Sequence, residues 1–444
     1  MGIETAVGAI KRTPHLFQGS GLPAGSEKAA ISNAILKEYY IPGIRDLLNS
    51  RTVALKMLKQ ASDWEMSGQY ANVPLRIGRN EGIGHIAERG ALPDPGAQQF
   101  DRAQYWLTYF YGRIKFSGPS VNATESRQGS YLEIMDAEAS GIAQDMAREL
   151  NRVVYGDGSG RLCQIQGSGN VTTATATNPG GFANSGPGTQ YLREGMRVAI
   201  VNATVLANAS ILAVRTITNV NRATNVVTFD AAVDWTGVTS AFLVRASTVT
   251  SNLADTSWMN EPWGFAAVFS EANPFRQNSA EYFGQINRNN VKLWQAVQLD
   301  NGGSAVPFYT GYLQRGLDDL AQQSDGNVQT FIMSYGLRLA YLDSFSGGKT
   351  YPETMDFDGG FRTLSYSGRP CVPDRDMTRG WIYGVDWDVV KWLYGQDFDF
   401  MDKDGSYLHR LPNEDAYQAT IFRYHQLVSD APNRLLVLKD IQDV

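Results

Sequence analysis

The sequence predicts an α+β fold built from an extended β-hairpin arm, one long amphipathic helix and an inserted all-β subdomain. Three observations predict it. Two strand-like arms, VPLRIGRN and FDRAQYWLTYFYGRIKFSG, flank a glycine- and proline-rich tip, EGIGHIAERGALPDPG, within residues 73–118. Beyond them, Met135, Ala139, Ile142, Met146, Leu150 and Val153 recur at steps of three and four, the spacing of one helical face. From about Leu162 to Ala246 charges thin out, and short runs rich in Val, Thr and Ile alternate with turn signals.

The chain has 444 residues, too many for one ordinary core, and the length suggests roughly two to four domains. With 43% hydrophobic and 19% charged residues the composition is globular, while 44 glycines imply many turns. No window reaches the roughly 18 uncharged apolar residues of a membrane span. The start, MGIETAVGAIKRTPHLF, lacks the basic and apolar regions of a secretory signal, so a cytoplasmic protein, or one made in a cytoplasm, is expected. Cys163 and Cys371 have no CxxC partner and no histidine cluster beside them, which favours isolated thiols over a disulfide or a metal site. A net charge of −6 and a pI near 5.4 do not advertise nucleic-acid binding.

Residues 1–25 carry GSGLPAGS and little periodicity, as a mobile or partner-draped arm does. From Ser26 the pattern turns helical, with Pro42 and Gly43 splitting it in two. Leu47, Leu48, Leu55 and Leu58 form a sticky side that needs a partner, either the subunit's own body or a neighbour. The hairpin tip is long for a loop inside a compact domain. Arg76, Arg79, Glu81, Glu88, Arg89, Asp94 and Arg102 decorate it with both signs of charge. A solvated surface hairpin and an arm that laps over a neighbouring subunit both fit.

The helix is expected from Gln128 to about Tyr155, and Gly156-Asp157-Gly158-Ser159-Gly160 stops it. Glu133, Asp136, Glu138, Asp145 and Glu149 line it, with Arg148 and Arg152 at helical spacing. That pattern reads as a solvated face or a charge seam between subunits, with Glu133, Glu138, Arg148 and Arg152 as contact candidates. Within the insertion, MRVAIVN, ILAVRTITNV, NVVTFD and AFLVRAS read as strands of a small barrel or sandwich. Residues 250–300 are aromatic-rich and irregular. Beyond Val306, FYTGYLQRGLDDLAQQ and YGLRLAYLDSFSG read as helices around a buried strand, VQTFIMS. Strands then dominate: FRTLSYSGRPCVPD, GWIYGVD, SYLHRL, AYQATIFRYHQLV and NRLLVLKDI.

Catalytic signatures are weak throughout. Ser346-Gly347-Gly348-Lys349-Thr350 lacks the first glycine of a phosphate loop, because Asp343 stands there. Gly82-Ile83-Gly84 has no strand-helix-strand unit around it, and Ser159 follows a helix where a nucleophile elbow needs a strand. His15, His85, His409 and His425 lack ligand spacing; only a two-histidine site from His409 and His425 is conceivable. Asp397, Asp399, Asp402 and Asp404 before Gly405 mimic a calcium loop with the wrong spacing, and a β-turn over Asp402–Gly405 is the better reading. No catalytic, cofactor-binding or metal-binding residue is assigned, and no enzyme is expected. A glycan hydrolase would need a convergent carboxylate pair that the sequence does not place.

Five stretches, in order, resemble the major capsid proteins of tailed double-stranded DNA bacteriophages, the HK97-like fold. They are VPLRIGRNEGIGHIAERGALPDPGAQQF, FYGRIKFSGPSVNAT, SYLEIMDAEASGIAQDMARELNRVVYGDGSG, GGFRTLSYSGRPCVPDRDMTRGWIYGVD and MDKDGSYLHRLPNEDAYQATIFRYHQLV. The resemblance implies an N-terminal arm over 1–68, an extended loop over 69–120 and a peripheral domain with a spine helix over 121–160. It further implies a return to the peripheral domain over 251–290, an axial domain over 291–400 and peripheral strands over 401–444. The β-rich stretch 161–250 departs from the minimal family pattern as an insertion. The implied function is self-assembly as hexamers and pentamers into an icosahedral shell around double-stranded DNA, and the implied location is the virion, assembled in a host cytoplasm. Implied partners are further copies of the chain, a portal, possible scaffolding or decoration proteins, and DNA held by weak non-specific contact, with no membrane. An acidic wall suits contents that must be packed and released. The start at Met1 leads to the expectation that no scaffolding segment has been cut away. The alternative is an encapsulin-like nanocompartment shell enclosing protein cargo.

Overall fold

The computed structural model describes residues 53–61, 66–67, 70–88, 90–117, 128–183, 185–203, 209–238, 241–249, 251–269, 282–346, 354–357, 361–402 and 409–443. Most of the expected N-terminal arm, Arg89, the Gly347–Thr350 stretch and the Lys403–Gly405 part of the expected turn lie outside these residues. So do the side chains of Glu133, Met135, Asp136 and Ala139.

The long helix spans Gln128–Val154, 27 residues or about 40 Å at the usual rise. Its periodic face buries Met146, Leu150 and Val153, joined by Ala143 and Ala147. That face meets the strand Thr108–Ser117 at Gly112, where an added Cβ would lie 2.6 Å from Met146 Sδ and 3.1 Å from Ile142. Only a residue without a side chain lets helix and strand approach so closely. The last turn tightens, Tyr155 N–H donating to Arg152 O and Gly156 N–H to Val153 O, which satisfies carbonyls that a helix end otherwise leaves open.

Thr108–Ser117 pairs antiparallel with Ala416–Ser429 in unbroken register from Ser117 opposite Ala416 to Thr108 opposite His425. On its other side Ala416–Ser429 pairs with Val390–Phe400, which carries Lys59–Gln60 in parallel at its edge. Leu55 and Leu58 are buried beside this body, so that part of the sticky side is satisfied within the subunit. A second, seven-stranded sheet runs in the order Val297–Leu299, Leu436–Leu438, Ile382–Val385, Thr330–Met333, Arg369–Pro373, Phe361–Tyr366, Thr354–Phe357. Helices Thr310–Gln323 and Tyr335–Ser346 cover one face through Leu313, Leu320, Leu337 and Tyr341, packed with Phe331 and Met333. Alternate residues Ile332, Tyr383 and Val437 join the body core on the other.

Two strands fall on the other side of the divisions expected from the sequence. Val390–Phe400, expected within 291–400, pairs with the body sheet, while Leu436–Leu438, expected among the strands of 401–444, pairs within the seven-stranded sheet. The sequence hides the first because Asp397 and Asp399 interrupt its pattern. In the fold each carboxylate accepts the N–H of the next residue, Phe398 and Phe400, at 2.9 Å, and the register shifts there as at a bulge. Asp397 and Asp399 of the calcium-loop look-alike therefore belong to a strand.

After the long helix in sequence, residues 161–245 form a closed six-stranded barrel. Its order is Val226–Asp234, Asn170–Pro179, Arg161–Gln166, Ala241–Arg245, Arg197–Asn202, Ser210–Asn221 and back to the first. Leu162, Ile165, Val198, Ile200, Ile217, Val227, Phe229 and Leu243 fill its interior. Closure removes the unpaired edges that a small, weakly charged sheet would otherwise expose. Cys163 and Cys371 are both buried and not joined in a disulfide, one in the barrel and one in the seven-stranded sheet.

Candidate functional site

The arm is a hairpin of Tyr70–Gly78 and Gln99–Trp106, paired from Tyr70 opposite Trp106 to Gly78 opposite Gln99. Its base is built into the body. Ala71, Val73, Ala103 and Tyr105 are buried, Tyr105 packs edge-on against Trp263 and Phe283, and its hydroxyl donates to Ser429 O at 2.6 Å. Burial pushes the Tyr105 phenol far above its ordinary range, so it stays a neutral donor. Gln104 N–H adds a bond to Gly284 O.

Beyond the base the burial ends. Leu92 is 81% exposed and Phe100 71%, with Ile83 and Ile86 also open to water. Asn80 bridges the two limbs of the tip: its amide nitrogen donates to Gly96 O at 2.8 Å while its oxygen accepts from Gly82 N–H at 2.7 Å. This bond pair staples the two limbs of the loop together. Arg76, Arg79, Glu81, Glu88, Asp94 and Arg102 are all exposed around it. Arg79 and Glu81 pair at 3.2 Å with both side chains in water, an interaction worth about 0–1 kcal/mol. The charges keep the arm soluble, and its apolar side chains lack cover from the described residues of the same chain.

The helix candidates divide. Glu138 and Arg148 are exposed, Arg148 lying 3.7 Å from Asp145. Arg152, expected on a seam between subunits, is instead buried at 7% exposure, which corrects that expectation. It is held by Glu149 at 2.7 Å and by Glu261, a residue the sequence reading did not single out. Glu149 also faces Arg245 at 3.1 Å, and Asp145 faces Arg193 at 3.6 Å, so two barrel arginines reach across to the helix. Burial alone would raise Glu149; Arg152 and Arg245 outweigh it and hold the carboxyl below its usual range. Glu261, its side chain 11% exposed, is raised by its partial burial and by facing Glu149 and Asp157, despite Arg152. Glu149 has two guanidinium partners, whereas Glu261 has only a share of Arg152 among the ion pairs at the joint, too little to offset its burial. The i, i+3 spacing of Glu149 and Arg152 was visible in the sequence; the partners more than 90 residues away left no local signal.

A cleft of about 810 Å³ opens where the helix, the barrel loops and the start of Thr108–Ser117 meet. Asp145, Glu149, Arg193 and Arg245 stand in its wall. His425, also in its wall, packs against Phe110 and Trp392, and burial with Arg423 nearby drives its pKa well below the ordinary value. His409 pairs opposite Gln418 and His425 opposite Thr108, so the two conceivable histidine ligands are not brought together. Among the described residues no group of three or more His, Cys, Asp or Glu is placed to hold a metal ion, and no helix is long and apolar enough to cross a membrane.

No protein-family model and no curated protein matches the chain. Among solved structures it is similar to the cyanophage A-1(L) capsid asymmetric unit, at 11% identity over 92% of this chain and 93% of that one, with a TM-score of 0.49. It is similar to a structure from Gordonia phage Cozz at 13% identity, over 86% and 84% of the two chains, with a TM-score of 0.41. It is also similar to the holo-SrpI encapsulin complex from Synechococcus elongatus PCC 7942, at 8% identity over 88% and 87%, with a TM-score of 0.40.

Proposed function

We propose that the chain is a structural shell subunit, the major capsid protein of a tailed double-stranded DNA bacteriophage, that assembles as hexamers and pentamers. The observation that carries this reading is the arm. Its base is locked into the core by Tyr105, its tip is stapled by Asn80, and its end presents Ile83, Ile86, Leu92 and Phe100 to solvent. An isolated protein gains nothing from holding apolar side chains away from its own core, whereas a lattice subunit gains a contact at every neighbour. Weak contacts repeated around a closed symmetry add up to a stable shell.

In this reading the seven-stranded sheet with its two helices is the axial domain, the long helix with the Ala416–Ser429 sheet is the peripheral domain, and the barrel is an inserted subdomain. The exposed candidates Arg76, Arg79, Glu81, Glu88, Asp94, Arg102, Glu138 and Arg148 would set the register of intersubunit contacts, and Arg89 and Glu133 remain proposed with them. Portal, scaffolding or decoration proteins and packaged DNA would be the further partners. Electron microscopy of the protein expressed alone and with its neighbouring genes tests the reading. Closed shells, tubes or capsomer rings are expected, and particles filled with DNA separate a virion from a nanocompartment filled with protein. A small species under every condition would overturn the reading.

A further inference from the structure

The turn joining Arg369–Pro373 to Ile382–Val385 is touched from two directions. From the long helix, the Asn151 amide nitrogen donates to Asp374 Oδ1 at 3.0 Å and Asp376 Oδ2 at 2.7 Å. From the barrel, Tyr191 O–H donates to Asp376 O at 2.9 Å and the Gln190 amide donates to Arg375 O at 3.3 Å. Phe182, in the loop after the barrel strand Asn170–Pro179, leaves the barrel interior and packs on Trp381 at 5.3 Å between ring centroids, as part of the body core. Ser185 Oγ fixes that loop by donating to Pro179 O and Phe182 O.

The barrel is also stiffly joined to the helix end. Its two connecting segments cross where Met259 N–H donates to Ser159 O at 2.9 Å. Gly160, at φ +76°, passes against Ser257 O so closely that no side chain would fit. Arg161 is anchored by Asp157 at 2.6 Å and by Ser159 Oγ at 2.8 Å. The ion pairs of Arg193 and Arg245 with Asp145 and Glu149 add a lateral hold one helical turn apart.

We infer that the barrel is an internal brace: held at the helix end by its neck, it grips residues 374–381 with its 179–191 loop and thereby fixes the seven-stranded sheet relative to the long helix. Without that grip the turn meets the helix end through the Asn151 amide, which serves two buried carboxylates at once, and through Tyr155 beside Asp374. Asp374 and Asp376 are buried residues, at 6% and 7% exposure; Asp376 N–H donates to Asp374 Oδ1 and the exposed Arg375 pairs with Asp376, yet two neighbouring carboxylates still favour separation unless something holds the turn in place. A barrel gripping the backbone carbonyls of Arg375 and Asp376 supplies that hold without adding charge.

Hydrogen exchange on the full chain tests the brace with Tyr191→Phe and Gln190→Ala, which delete the two bonds while keeping the loop's apolar body. Amides of residues 374–381 are expected to exchange about fivefold faster in each variant, the loss of one ordinary hydrogen bond, and more in the double variant. Exchange in the barrel strands Asn170–Pro179 and Val226–Asp234 is expected to stay as in the parent. Unchanged exchange at the turn would overturn the inference. Loss of protection in the barrel strands with the turn intact would overturn it too, because the body would then be holding the barrel. Phe182→Leu gives a third reading through packing, with the same two outcomes.

Discussion

The arm tip and the helix–barrel joint use the same residue types in opposite ways. At the tip, arginines and carboxylates stand in water and large apolar side chains stand beside them uncovered. At the joint, Arg152 and Glu149 are buried, Glu261 is largely covered beside them, and the apolar residues are consumed by the core. Charges held in water cost little to rearrange, whereas charges buried in a fixed network are costly to disturb. The joint is therefore finished within one chain, and the tip is left for a partner to finish.

The largest effect that would break this contrast is at the joint. Arg152→Met removes the cation shared by Glu149 and Glu261, leaving Glu149 with Arg245 alone, and is expected to destabilise the subunit by about 3 kcal/mol in urea denaturation. Arg79→Ala in the arm is expected to change the same midpoint by less than about 0.5 kcal/mol. Comparable losses would erase the distinction. Next in size is Gly112→Val, which forces a side chain into Met146 and Ile142 and is expected to cost about 1–3 kcal/mol, read as a lowered Tm.

These positions also mark how far the sequence could be read. The long helix was legible because its apolar period survives over many turns, and the barrel strands because turns punctuate β-prone runs. Arg152 was misread because periodicity places a residue on a helix face without saying what covers that face. Its cover comes from Glu261, and the barrel arginine Arg245 closes on its partner Glu149, through contacts far apart in sequence. Val390–Phe400 was missed because two aspartates mimicked a loop while bonding to their own strand. The arm was legible as a long decorated hairpin, but the Asn80 staple depends on Gly96 sixteen residues away and left no local pattern.

A smaller effect sharpens the contrast through pH. The folded chain holds His425 neutral well below its ordinary pKa, so the unfolded chain takes up a proton first as pH falls. Stability is therefore full above about pH 6.5 and declines below it, by at most about 1.4 kcal/mol per pH unit from this group. Glu149, held below its usual range, adds its own loss only under more acidic conditions. Denaturation midpoints between pH 7.5 and 5 are expected to fall less steeply in His425→Gln than in the parent, and equal slopes would remove His425 from the account.

The smallest effect on the isolated subunit carries the most weight for function. Ile83→Ser with Leu92→Ser, and separately Asn80→Ala, are expected to leave Tm within about 1 °C of the parent, as positions in the tip outside the core should. Sedimentation of parent and variants at matched concentration, with thermal melting run beside it, tests the central claim most directly. The account predicts fast-sedimenting shells or rings for the parent and slow, well-folded subunits for the variants. Variants that assemble as well as the parent at equal Tm would contradict it.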